Sequence, residues 1–96
     1  IVFVHQRLDV DDSYGVKNAA AVRETLERSG HVRAVFQGHY HNGDYRDING
    51  IHYLTFRALV EGSGTDDNAY ATVEVLPQGS VRVKGFCRQQ SYQLGP

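Results

Sequence analysis

An α/β fold with parallel neighbouring strands is predicted by three features of this 96-residue chain. It opens on an unbroken apolar run, Ile1-Val2-Phe3-Val4, rich in β-branched residues. One segment of helical periodicity separates that run from a second one at residues 32–36, which gives strand, helix, strand. Three more β-rich runs follow, divided by Gly-rich or Pro-Gln-Gly turns. One main helix and about five or six strands are therefore expected.

Taken in order, residues 1–4 read as a strand buried on both faces and ending at His5. Residues 6–15 read as a polar loop. From Asn18 as N-cap, the segment 19–29 sets Ala19, Val22 and Leu26 on one face and turns Arg23, Glu24, Glu27 and Arg28 to water, with Gly30 as the stop. Residues 38–50 read as a long polar loop, and strands are expected at 51–56, 69–76 and 81–87. The last two form a hairpin around Pro77, Gln78 and Gly79, with Val73, Val75, Val81 and Val83 at its apolar positions. Asp66-Asp67-Asn68 reads as a turn, and 89–96 as a flexible tail.

Composition narrows the function classes. With 41% apolar residues and a mean hydropathy of -0.44, the chain reads as a soluble globular protein; no run approaches the roughly 20 apolar residues of a membrane helix. Ten Lys and Arg against eleven Asp and Glu leave a net charge of -1, so no basic field is present to hold a nucleic-acid backbone. Cys87 stands alone and cannot form an internal disulfide; in its strand-like run it is expected to be an inert buried thiol. There is no methionine, and the chain reads as a piece of something longer. No targeting segment is recognisable, which by itself assigns no compartment; the compartment stays open, with the cytoplasm slightly favoured.

The candidate chemistry lies in three histidines placed where strands end. His5 follows the first strand, and His39 and His41 follow the second within Gly38-His39-Tyr40-His41. In a parallel sheet the carboxyl ends of the strands form one rim, where ligands bind. Residues two apart in extended backbone point the same way, which presents His39 and His41 together with Cα atoms on the order of 6.5 Å apart. Such neighbours suit two ions, since paired catalytic metals lie about 3.5–4 Å apart. Gly38 is expected to let the chain leave the strand sharply.

These residues resemble the last two metal-binding motifs of the calcineurin-like metallophosphoesterase family. Asn42-Gly43-Asp44-Tyr45, Asn49-Gly50-Ile51, residues 69–75 and Val83-Lys84-Gly85-Phe86 extend the resemblance along nearly the whole chain. They bring it nearest to the manganese-dependent ADP-ribose/CDP-alcohol diphosphatase branch. The resemblance implies the C-terminal half of an αββα sandwich, residues 1–96 forming part of a metallophosphoesterase domain. It implies His5 and His39 as ligands of one divalent ion and His41 as a ligand of a second, the ions being Mn, Fe or Zn. The implied reaction is hydrolysis of a phosphomonoester, phosphodiester or nucleoside diphosphate bond in a phosphate-ester or nucleotide-type small molecule. The family's D-x-H, G-D-x-x-D and G-N-H-E/D motifs do not occur here, so the isolated chain is expected to bind metal weakly and to be nearly inactive.

Other residues admit two readings. Tyr40 and Tyr45 either stack on an aryl or base group of a substrate or pack internally. Arg7 either contacts substrate phosphate or is a solvated loop arginine. Asn42 and Asp44 either orient a ligand histidine or form a turn. His31, after Gly30, reads as a surface residue, and His52 as lying on the polar face of a strand. Asp9, Asp11 and Ser13 have calcium-loop spacing, but Tyr14 stands at the glycine position and Ala20 at the glutamate position. The alternative to a phosphoesterase is a non-catalytic metal-binding module, or one that self-associates through exposed sheet edges.

Overall fold

A computed structural model describes residues 1–60, 62 and 64–96. The chain divides into two compact units, Ile1–Phe56 and Arg57–Pro96. Among the described residues there are one α-helix and seven strands.

The first unit contains β1 (Val2–Phe3), α1 (Ala19–Ser29), β2 (Ala34–Gln37), β3 (Asp44–Ile48) and β4 (Ile51–Thr55). Its sheet has the order β1-β2-β4-β3, with β2 parallel to both β1 and β4, and β3 antiparallel to β4. The expected strand-helix-strand unit is therefore present. Every residue of β2 and β4 is buried, including the polar Gln37, His52 and Thr55, so neither strand shows an alternation between a buried and an exposed face. Val35, Ile51 and Tyr53 pack with Leu8, and Val22 and Leu26 of α1 lie against them. The helix ends where its sequence dictates, at Gly30 with φ 70°, whose N–H donates to the Glu27 carbonyl. Asn18 makes no side-chain capping bond; its carbonyl accepts the first helical N–H, from Val22.

Two expectations change in this unit. The first strand is only two residues long and is not buried on both faces: it lies at the sheet edge, and Phe3 is 75% exposed, with the Phe36 ring edge to face against it. The presumed loop 38–50 contains β3. Asn49 and Gly50, with φ of 52° and 83°, build the tight turn whose twist lays Asp44–Ile48 beside β4. As an outer strand β3 tolerates the polar residues that disguised it.

The second unit is an antiparallel sheet of β5 (Tyr70–Val75), β6 (Val81–Phe86) and β7 (Tyr92–Leu94), in that order. The hairpin at Pro77, Gln78 and Gly79 is closed by Leu76 donating to Ser80 and Gly79 donating to Leu76. Val81 and Val83 are buried, whereas Val73 and Val75 on the outer strand are exposed. A single 3-10 turn covers Thr65–Asp67. Residues 89–96, expected to form a flexible tail, instead carry β7. Leu94 is buried opposite Val81, and the Gln89 side chain accepts a hydrogen bond from the Arg57 N–H. Cys87 is also corrected: it follows β6 at φ 61° with an exposed thiol that donates to the Thr65 carbonyl. No helix among the described residues is long and apolar enough to cross a membrane.

Candidate functional site

Parallel pairing of β1 with β2 makes both strands run out at the same rim, one ending before His5 and the other before Gly38 and His39. The Gly38 N–H donates to the His5 carbonyl at 2.9 Å and draws the two exits together. The imidazoles of His5 and His39 consequently meet edge to face, with ring centroids 5.1 Å apart. Both residues are exposed. The sharp exit expected at Gly38 occurs one residue later. His39 is left-handed at φ 69°, a conformation costly for a residue with a Cβ and concentrated at functional sites. A Cβ on Gly38 would make only ordinary contacts, 3.6 and 3.8 Å from His5 atoms.

That turn changes the geometry at His41. The extended presentation of His39 and His41 is replaced by a bend, in which the Gly43 N–H donates to the Tyr40 carbonyl. Among the described residues no three His, Cys, Asp or Glu side chains are gathered closely enough to hold a metal ion. The sequence-predicted pair that the fold brings together is thus His5 and His39, with His41 on the exposed turn beyond.

Behind the pair lies a buried polar lattice. Arg7, 3% exposed, donates from Nε and Nη2 to the two carboxylate oxygens of Asp9, each at 2.8 Å, and from Nη2 to Asp44 Oδ2 at 2.8 Å. Arg7 is therefore neither a solvated loop residue nor an open anion hook, since two carboxylates already occupy its fork. Gln37, the last residue of β2, accepts from the Leu8 N–H at 2.9 Å and donates to Asp9 Oδ1 at 2.7 Å and to Thr55 Oγ1 at 2.9 Å. Arg46 borders the cluster, 3.5 Å from Asp44 and 3.9 Å from Asp9. The Arg7 guanidinium is held charged well above its ordinary range chiefly by the hydrogen bond to Asp9, helped by Asp44 and opposed by burial. At Asp44, burial alone would raise the carboxyl pKa. The Arg7 and Tyr45 N–H hydrogen bonds and the charges of Arg7 and Arg46 outweigh it, and the net shift is downward.

Aromatic rings complete the rim. The Tyr14 ring packs edge to face on His39, 5.8 Å between centroids, and on Tyr40 at 5.0 Å, while the Arg7 guanidinium lies 5.3 Å from the Tyr40 centroid. Tyr14 lies in a loop tied to Arg7 twice, by the Arg7 N–H to Tyr14 and the Val16 N–H to Arg7. Tyr45 turns elsewhere: its hydroxyl is 2.7 Å from His52 Nδ1, and the two rings stack. His52 is accordingly not on a polar face but buried in β4. Asp44 orients Arg7 rather than a histidine.

Compared with solved structures, the chain matches a dimetal phosphatase from Danio rerio with a TM-score of 0.80 and 21% identity, over 94% of its own length. It shares the fold of part of that protein. The chain spans 29% of that phosphatase, less than a third of its length. No family model and no curated protein matches the sequence. At this rim Gln37 is the residue that sequence reasoning passed over, while Asp9 and Tyr14 were weighed only for a calcium-loop spacing and not for the part they take here. One signal was legible: a polar side chain set between or after apolar residues, Asp9 between Leu8 and Val10 and Gln37 after Val35-Phe36, must find partners once those neighbours are buried.

Proposed function

We propose that this chain is the histidine-bearing segment of a two-metal phosphoesterase, with His5 and His39 ligands of one divalent ion and His41 a ligand of the second. The observation that carries this reading is the pairing of the His5 and His39 imidazoles at the carboxyl rim of parallel strands, in a fold shared with a dimetal phosphatase. Two neighbouring imidazoles suit Mn, Fe or Zn as part of a donor set. Among the described residues Asp9 and Asp44 are committed to Arg7 and no third ligating side chain gathers with the two imidazoles, so in this reading the completing carboxylates come from outside these 96 residues. When bound, such ions supply an activated water and neutralise charge on phosphoryl oxygens. The chain's own part is to hold the imidazoles at the rim and to line it with Tyr40 and Tyr14, whose rings suit an aryl or nucleotide-type phosphate ester. The resemblance to the ADP-ribose/CDP-alcohol branch makes ADP-ribose the nucleotide substrate to try.

Equilibrium dialysis of Zn²⁺ and Mn²⁺ against the chain and its His39→Ala/His41→Ala variant tests the reading. Weak binding that the variant loses is expected. Equal uptake by both proteins overturns it.

A further inference from the structure

The two loops that carry His5 and His39 are joined by more than their adjacency. On the first loop the three residues after Gln6 all make side-chain or backbone bonds into the lattice: Arg7 to Asp9 and Asp44, Leu8 through its N–H to Gln37, and Asp9 to Gln37. On the second loop His39 is bracketed. Gln37 ties the chain two residues before it, and Tyr40, packed on the Arg7 guanidinium, ties it one residue after. The lattice is dry where it matters, with Arg7, Asp9, Gln37 and Thr55 all buried, so its hydrogen bonds do not exchange freely with water. A left-handed residue with a Cβ is strained, and His39 at φ 69° persists only where its surroundings over-determine it.

We propose that Gln37 and Arg7 are positioning residues: through Asp9 and Asp44 they set the separation of the His5 and His39 imidazoles and hold His39 in its left-handed turn. Gln37 suits this because an amide presents an acceptor and two donors at once. It uses all three, toward Leu8, Asp9 and Thr55, which a carboxylate or an alkyl chain of the same length does not match. Arg7 suits it because its planar fork binds Asp9 by two parallel bonds and still reaches Asp44; a lysine carries the charge without the fork. The inference rests on the proposed metal role of the two histidines, but the ring spacing itself is measurable without metal.

The test is NMR on the intact chain with His5 and His39 ring protons assigned. The wild type is expected to show cross-relaxation between the two rings, and both sets of resonances are expected to shift together on adding Zn²⁺. Gln37→Leu and Arg7→Lys are expected to lose the inter-ring signal and to weaken Zn²⁺ binding at these resonances by about 10-fold or more, as loss of outer-shell support does elsewhere. Ile51→Val, a core truncation outside the lattice, is the control for a purely structural effect. It is expected to lower thermal stability and leave spacing and affinity unchanged. If Gln37→Leu and Arg7→Lys fold and keep both the inter-ring signal and the wild-type affinity, the proposal is overturned. Should either variant fail to fold, Asp44→Asn, at a half-buried position, decides: an unchanged signal and affinity there also overturn it. If Zn²⁺ moves neither wild-type resonance, the metal reading fails, and the inter-ring signal alone judges the positioning role.

Discussion

At Arg7, three hydrogen bonds to Asp9 and Asp44 replace the water that the guanidinium gives up on burial. Removing one partner of such a pair is more damaging than removing both, because the survivor keeps its desolvation cost without its compensation. Arg7→Met leaves the Asp9 carboxylate buried beside Gln37 and is expected to cost about 3–5 kcal/mol, read by urea unfolding. A loss of under about 1 kcal/mol, the range of an exposed pair, contradicts this account. Asp44 adds a pH dependence. Its carboxyl pKa is lower in the folded chain than in the unfolded one, so the stabilisation is present above the ordinary carboxylate value and is lost as pH falls through the folded value. Thermal melts are therefore expected to drop below pH about 4. Asp44→Asn should melt lower at neutral pH and show a shallower acid slope; an unchanged slope removes Asp44 from the explanation.

At the scale of elements, the loop between β1 and α1 works as a folded part rather than a tether. Arg7 pairs with Gly15 in an isolated parallel bridge, and the Gly15 N–H donates to the Asp12 carbonyl. The chain doubles back so tightly that a Cβ on Gly15 would stand 2.6 Å from the Val10 carbonyl oxygen, a backbone atom that cannot swing aside. Gly15→Ala is expected to destabilise the first unit by about 1–3 kcal/mol, the usual cost of overpacking. It is also expected to disturb Tyr14, the preceding residue, so that the contact between Tyr14 and His39 weakens in NMR spectra. Wild-type stability with an undisturbed Tyr14 ring would show that the loop has room the packing does not reveal.

For the molecule as a whole, the chain carries the fold of part of a dimetal phosphatase and a rim with two imidazoles side by side. Two-metal hydrolysis needs ligands that hold both ions and a shaped cavity around them. Asp9 and Asp44 beside this rim are already neutralised by arginines. The isolated chain is therefore expected to hydrolyse bis-p-nitrophenyl phosphate and ADP-ribose, with Mn²⁺ or Zn²⁺ present, no faster than its His39→Ala/His41→Ala variant. Turnover by the wild type that the variant lacks would mean that the chain builds a working site alone or by assembly.

Local patterns determined much of this protein. Periodicity and a terminal glycine delimited α1 at Ala19–Ser29, because helix spacing and a left-handed stop are encoded within a few residues. The β-branched runs located β1, β2, β4, β5 and β6, and the order strand-helix-strand implied parallel neighbours. That His5 comes near His39 was legible because strand ends share a rim, although the spacing argument paired His39 with His41 and only the resemblance paired it with His5. The signal for β3 was also present, in Asn49-Gly50 between Ile48 and Ile51, but a polar outer strand has no alternation to announce it. β7 was hidden for another reason: three residues at the end of a polar stretch become a strand only when β6 offers an edge. Only the tertiary structure decided the fate of the charged residues. Whether Arg7 faces water or two carboxylates depends on Gln37 and Asp44, 30 and 37 positions along the chain, and no local window contains all three. His39 shows both: its left-handed turn is closed locally by the Tyr40 N–H donating to the Gly38 carbonyl, and it is fixed beside the other strand end by the Gly38 N–H donating to the His5 carbonyl.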